Sequence, residues 1–133
     1  MFKRPFSFDG RIRRLEYGLS LIIFYAYMFI IVFALQLFLS PTDPANATLE
    51  PLVMLLAMVP GYWFLIAQNA KRCHDLGNSG WFQLIPLYGL WLLFANGENG
   101  ENRFGRNPKG QGNDADEIDQ IGEYLQGEQP SAM

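Results

Sequence analysis

The sequence predicts an all-α membrane protein: a polytopic bundle of about three transmembrane helices, preceded by an N-terminal interfacial helix. Charged residues of the 133-residue chain are crowded into four segments, and the stretches between these segments carry no charge. Two of the uncharged stretches are long enough to cross a bilayer as helices, and a third comes close. The overall apolar fraction of 50% is ordinary for a soluble protein, so the distribution of charge carries the prediction.

The first uncharged stretch covers residues 17–40 and contains 24 residues. As a helix it would be roughly 36 Å long, more than a hydrocarbon core of about 30 Å. It is apolar on every face, which is typical of a helix surrounded by lipid. Five Lys and Arg precede it, as in a signal peptide, but the run exceeds an h-region of about 7–15 residues and ends at Phe-Leu-Ser-Pro. We therefore predict a retained membrane anchor.

Two further stretches follow. Residues 51–70 are uncharged, with Pro60-Gly61 at their centre, where we expect a kink rather than a helix end. The apolar part of the third stretch, residues 81–95, has only 15 residues, roughly 22 Å as a helix. We predict a third span over about 78–97, which includes uncharged flanks, and a re-entrant segment stays open as the alternative.

Charge divides the chain into two parts. Residues 1–110 hold all ten Lys and Arg against seven acids, whereas residues 111–133 hold six acids and no base. We predict a membrane domain over 1–110 and an acidic, disordered tail over 111–133. The short basic patches form no stripe, which excludes nucleic-acid binding.

With three spans, the N-terminus and the 71–80 loop would share a side carrying seven Lys and Arg, against three opposite, which favours a cytoplasmic N-terminus. The side on which the tail lies stays open.

Three motifs flank the apolar runs. They are FDGRIRRLEY at residues 8–17, RCHDLGNSGW at 72–81 and GENRFGRNP at 100–108. Together they resemble the family of small bacterial inner-membrane proteins known as domain of unknown function 805. The resemblance covers roughly residues 6–108 and implies an inner-membrane location and a bundle of about three or four passes. It implies no activity, and the third apolar run is shorter than is usual in the family.

The candidate functional or structural residues all belong to these motifs: Arg11, Arg14, Glu16, Arg72, His74, Asp75, Asn102 and Arg103. Spacing puts Arg11 and Arg14 on one helix face, and Arg72 within ion-pairing distance of Asp75. We expect the first two motifs to meet at the membrane boundary, with Arg14–Asp75 or Arg72–Glu16 as the pairs between them. Arg103 is expected to pair with Glu98 or Glu101.

Catalysis is the less favoured interpretation of these residues. Adjacent residues on a helix point about 100° apart, so His74 and Asp75 make a poor catalytic dyad. One Cys and one His do not complete a zinc site, so neither a metal nor another cofactor is predicted.

We predict a structural or interaction module, or an accessory subunit, whose partners are the bilayer, anionic phospholipid head groups, and a membrane protein or a second copy. The first alternative is an enzyme or binder acting on lipid head groups through Arg11, Arg14, Arg72, His74 and Asp75. The second is an oligomeric channel or transporter subunit, although the spans contain no Asp, Glu, Lys, Arg or His, which such proteins usually need near the midplane.

Overall fold

The computed structural model describes residues 4–39, 42–110 and 121–122, and its elements over that part are helical. Helix α1 covers Arg14–Phe38 and helix α2 covers Asn46–Asp75. A short 3-10 helix follows at Gly80–Leu84, and α3 covers Tyr88–Phe94. The prediction of an all-α membrane bundle is confirmed, because α1 and α2 are each long and apolar enough to cross a membrane.

Helices α1 and α2 form an antiparallel pair. Tyr27 of α1 donates a hydrogen bond to the carbonyl of Ala57 at 2.6 Å, and Phe24 packs edge-on against Tyr62 at 5.4 Å between ring centroids. Helix α2 continues through Pro60, and Gly61 allows the close approach there. A Cβ atom on Gly61 would lie 2.8 Å from the Tyr27 ring, closer than two carbon atoms can come without a shift.

The outer surface of this pair is apolar. Only 6% of the most apolar 18-residue window of each helix is buried inside the protein, so these helices are not the core of a soluble domain. Large side chains such as Phe29, Phe33 and Leu55 are mostly exposed. Such a continuous apolar surface requires lipid or another apolar partner to cover it.

The structure differs from the expected span over 78–97. Helix α3 has seven residues, about 10 Å, and is too short to cross a bilayer. Before it, Pro86 has no N–H to donate, and Leu87 adopts a left-handed conformation with φ of 65°, so no single helix runs through this stretch. The chain leaves the end of α2 and returns to it, since Arg72 binds the carbonyl of Ala95. This path of the backbone is the one that the re-entrant alternative expects, and we call residues 81–94 the re-entrant segment.

The expected N-terminal interfacial helix is also absent from the described residues. Helix α1 begins only at Arg14, Arg13 is extended, and Gly10 has a φ of +98° that breaks any helix before it. Arg11 and Arg14 therefore do not share one helix face.

The three non-spanning segments 4–13, 71–80 and 95–110 gather at one end of the α1–α2 pair, and we call them the polar cap. Residues 111–120 and 123–133 lie outside the described residues, so the predicted boundary at 110 and the disordered tail stay predictions.

Candidate functional site

The polar cap is organised around Asp75, the last residue of α2. One carboxylate oxygen accepts a hydrogen bond from Arg72, three residues earlier on the same helix, as the spacing predicts. The other oxygen accepts from Nε of Arg11 at 3.1 Å. All three side chains are at least 95% buried. The ion cluster thus contains two buried cations and one buried anion.

Arg11 uses all five of its N–H donors. Besides the Asp75 carboxylate, its guanidinium donates to the carbonyls of Gly100 at 2.7 Å, Glu98 at 2.6 Å, Gly105 at 3.2 Å and Asp75 at 3.4 Å. A single side chain therefore joins the N-terminal segment, the end of α2 and the chain after α3. These bonds offset the large cost of taking the guanidinium out of water.

Arg72 fastens the re-entrant segment to α2. Its Nε donates to the carbonyl of Leu92 at 2.7 Å, and a terminal nitrogen donates to the carbonyl of Ala95. Leu92 lies in the last turn of α3 and Ala95 directly follows the helix, where C=O groups have no intrahelical donors. The positive charge also lies at the negative end of the α3 dipole, which is favourable.

Glu98, which the sequence analysis noted only as a pairing partner, is central to the cap. Its backbone N–H donates to the Asp75 carbonyl at 2.7 Å, and its carbonyl accepts from Arg11 and from Asn107. Its carboxylate accepts from Asn102 at 3.0 Å. Among the described residues Arg103 forms no ion pair with Glu98 or Glu101, so the pairing expected for it is wrong. Glycines on both sides of this residue make room: a Cβ on Gly97 would overlap the Asp75 carboxylate, and one on Gly77 would overlap that of Glu98.

His74 points away from the ion cluster, as the 100° rotation between neighbours predicts. Its Nδ1 lies 3.2 Å from the Gly10 carbonyl, which can only accept, so Nδ1 carries the proton. The ring stacks on Phe104 with 3.9 Å between centroids, and the guanidinium carbon of Arg103 lies 4.7 Å from the Phe104 centroid. Asn102 donates to the His74 carbonyl at 2.9 Å. Histidine and aspartate thus serve two different sets of contacts.

The two remaining predicted residues, Arg14 and Glu16, lie outside the ion cluster. Arg14 is exposed, and its guanidinium is 3.4 Å from the Phe94 carbonyl. Among the described residues the ion pairs are Arg11–Asp75 and Arg72–Asp75, so the expected pairs Arg14–Asp75 and Arg72–Glu16 are wrong. The two motifs do meet as predicted, but through Arg11, because α1 begins after it and leaves it free to turn toward α2.

The arrangement favours holding the chain together over acid–base chemistry. Each carboxylate oxygen of Asp75 accepts a hydrogen bond from a guanidinium group, so the buried carboxylate is committed to two ion pairs within the protein. In the described part of the chain, no three His, Cys, Asp or Glu side chains come together as metal ligands would. Beside the cluster, a polar cavity of about 260 Å³ is lined by Asp75, Asn96, Gly97, Asn99, Asn107 and Lys109.

A family model described as "Protein of unknown function (DUF805)" matches residues 5–106. The chain belongs to this family. The match includes α1, α2, the re-entrant segment and nearly all of the polar cap, which confirms the resemblance noted from the three motifs.

Two relatives extend this comparison. The chain is 29% identical over 117 residues to the inner membrane protein YhaH of Escherichia coli K12, covering 82% of this chain and 93% of that protein. It is 32% identical, also over 117 residues, to the inner membrane protein YhaI of the same strain, covering 82% of this chain and 92% of that protein. No solved structure matches. The relatives are thus inner membrane proteins of nearly the same length, and contact with the lipid bilayer follows for this chain.

Proposed function

We propose that this protein is a structural or interaction module of the bacterial inner membrane, in which α1 and α2 contact lipid and a partner while the polar cap keeps the two helices in a fixed arrangement. The observation that carries the proposal is that the charged side chains of the motifs bind groups inside the protein. Arg11, Arg72 and Asp75 are buried and bonded to one another and to backbone carbonyls. Their hydrogen bonds and ion pairs hold the segments of the polar cap together.

The apolar surface supports the interaction half of the proposal. Phe29 and Phe33 of α1 stack on each other with 6.2 Å between ring centroids, and both are more than 60% exposed. Aromatic side chains on a helix surface give a partner helix large, stiff groups to pack against. The partner we infer is another membrane helix, from a second copy or from a different protein.

The rival functions have less support. A head-group enzyme would need His74 and Asp75 to act together, yet they make separate contacts. A channel or transporter would need polar groups along the apolar helices, and the 17–40 and 51–70 stretches contain no ionisable acid or base other than tyrosine.

We further propose that the protein is multi-pass, with two crossings, and that the polar cap lies on the cytoplasmic side. The nine Lys and Arg in the described residues fall at the cap end: four between Arg4 and Arg14, two at the end of α2 and three after α3. Residues 42–50, at the other end of the α1–α2 pair, contain none. The positive-inside rule favours this orientation more strongly for two crossings than for three, because the three cations after α3 join the same side.

Site-specific photo-crosslinking in native membranes tests the interaction proposal. We would place p-azidophenylalanine at Phe29, which is 71% exposed, and in a matched variant at Phe24 of the same helix, which is 6% exposed. We expect a discrete protein adduct above the monomer mass for the exposed position and none for the buried one. Adducts with lipid alone at Phe29, Phe33 and Phe94, all exposed, would contradict the proposal.

A further inference from the structure

We propose that the groove between the start of α1 and the end of α3 binds one anionic phospholipid, an inference that goes beyond the structural role proposed above. The groove has a volume of about 520 Å³. Its wall combines three cations, Arg13, Arg14 and Lys109, with an apolar floor that includes Gly18, Ile22 and Leu93. A phosphate and an acyl chain match these two parts.

Gly18 contributes no side chain to the apolar floor. A Cβ at this position would make an ordinary van der Waals contact with Cδ1 of Leu93 at 3.8 Å, so α1 and α3 come close to each other at this point of the groove. Ile22, one turn further along α1, is 65% exposed, which shows that the groove opens along the outer surface of the helix. An acyl chain lying there would contact both helices and cover apolar surface that neither helix covers for the other.

The three cations, at the end of the groove where α1 begins, are available to a ligand. Arg13, Arg14 and Lys109 are all exposed, in contrast to Arg11 and Arg72. Arg13 donates from Nε and from a terminal nitrogen to the Pro108 carbonyl, at 2.8 and 2.5 Å, and the contact of Arg14 with the Phe94 carbonyl is long, at 3.4 Å. Neither forms an ion pair among the described residues. Glu16, the acid of the first turn of α1, does not line the groove.

The order of these groups along α1 selects a lipid over free phosphate. Arg13 and Arg14 lie directly before the apolar run that begins at residue 17, which is the level at which lipid phosphates lie. Gly18 and Ile22 follow within the run, toward the hydrocarbon. A phospholipid has the same order of charged head and apolar chain, whereas a free phosphate would use only the cations.

The test is lipid binding to the purified full chain in detergent, measured by native mass spectrometry with phosphatidylglycerol and with phosphatidylcholine. We expect preferential binding of phosphatidylglycerol, reduced about fivefold for each cation removed in Arg14→Gln and Lys109→Gln. The matched charge control is Arg103→Gln, which removes an exposed cation of the cap outside the groove. We expect no more than a small change in that variant.

A second pair of variants tests the acyl-chain floor. Ile22→Trp fills the groove and should weaken binding of both lipids, whereas Ile30→Trp, at a position 62% exposed on the same helix, should leave binding unchanged. Both substitutions face the surface, so the unfolding temperature without added lipid should stay near that of the parent.

Three results would overturn the inference. The first is equal affinity of the parent for the two lipids, and the second is an equal loss in Arg103→Gln and Arg14→Gln, which would mean diffuse attraction. The third is displacement of phosphatidylglycerol by millimolar inorganic phosphate, which would assign the cations to free phosphate. None of these results depends on crosslinking at Phe29, so this inference and the interaction proposal can fail separately.

Discussion

Asp75 holds a net positive cluster together, and that has an energetic consequence. Two guanidinium groups and one carboxylate are buried, and among the described residues the acid is the only one that forms an ion pair with either arginine. Removing Arg11 leaves Asp75 still paired with Arg72, whereas removing Asp75 leaves two buried cations with carbonyls alone. A buried charge that loses its partner costs more than the pair itself contributes.

We therefore expect Asp75→Ala to destabilise the protein more than Arg11→Ala, with losses on the order of 3–5 kcal/mol in the free energy of unfolding. The double variant should lose less than the sum of the two, by about 0.5–3 kcal/mol, because the two residues share one interaction. Unfolding of the purified protein in detergent measures this. Arg103→Ala, which removes an exposed cation stacked near Phe104, is the control and should cost little. Strict additivity would show that Arg11 and Asp75 are not coupled.

The sequence predicted part of this cluster. The spacing of Arg72 and Asp75 on one helix was sufficient, because a helix fixes which side chains three residues apart can meet. The role of Arg11 was not accessible, since it depends on carbonyls more than 85 residues away, at Glu98, Gly100 and Gly105. Backbone carbonyls have no residue-type signature, so the sequence does not show which of them a side chain will meet.

Among the helices, too, the sequence predicted some elements and left others ambiguous. Uncharged runs of 24 and 20 residues predicted α1 and α2, because bilayer thickness is a single, strong constraint on helix length. The third run was ambiguous at 15 apolar residues, and length alone did not decide between crossing and re-entry. Pro86 and the hydrogen bonds from Arg72 to Leu92 and Ala95 favour re-entry, and these hydrogen bonds are tertiary contacts that the sequence does not reveal. They hold the end of α3 beside the end of α2, as expected for a segment that re-enters.

Cysteine labelling tests this re-entry and the proposed orientation together. Ala47 and Glu101 are both exposed, and Cys73 is fully buried, so the parent serves as the unlabelled control. In intact cells, a thiol reagent that does not cross the inner membrane should label Ala47→Cys and not Glu101→Cys, which should react only after permeabilisation. Labelling of both variants in intact cells would mean that the third run crosses, and labelling of Glu101→Cys alone would mean the opposite orientation.

At the scale of the whole molecule, hydrogen bonds of the polar cap extend to the residues directly before the acidic segment. Arg13 binds the Pro108 carbonyl at 2.8 Å, the N–H of Lys109 binds the Asn107 side chain at 2.8 Å, and the family match ends at residue 106. The described contacts that join α1, α2 and α3 lie within residues 4–110, and the predicted boundary at residue 110 stays a prediction. The overall charge of −3 does not describe this part of the chain, because residues 1–110 alone carry ten bases and seven acids.

Two truncations test the predicted boundary at residue 110. Ending the chain after Gly110 removes six acids and no described contact of Arg11 or Arg72, so we expect insertion to persist and the free energy of unfolding to change by about 0.5 kcal/mol or less. Ending it after Ala95 also removes the carbonyls of Glu98, Gly100 and Gly105 and leaves the buried guanidinium of Arg11 without most of its acceptors. That variant should lose most of its stability in detergent. A loss after Gly110 as large as the loss after Ala95 would mean that the acidic segment contributes to the packed bundle, and the boundary at residue 110 would then be wrong.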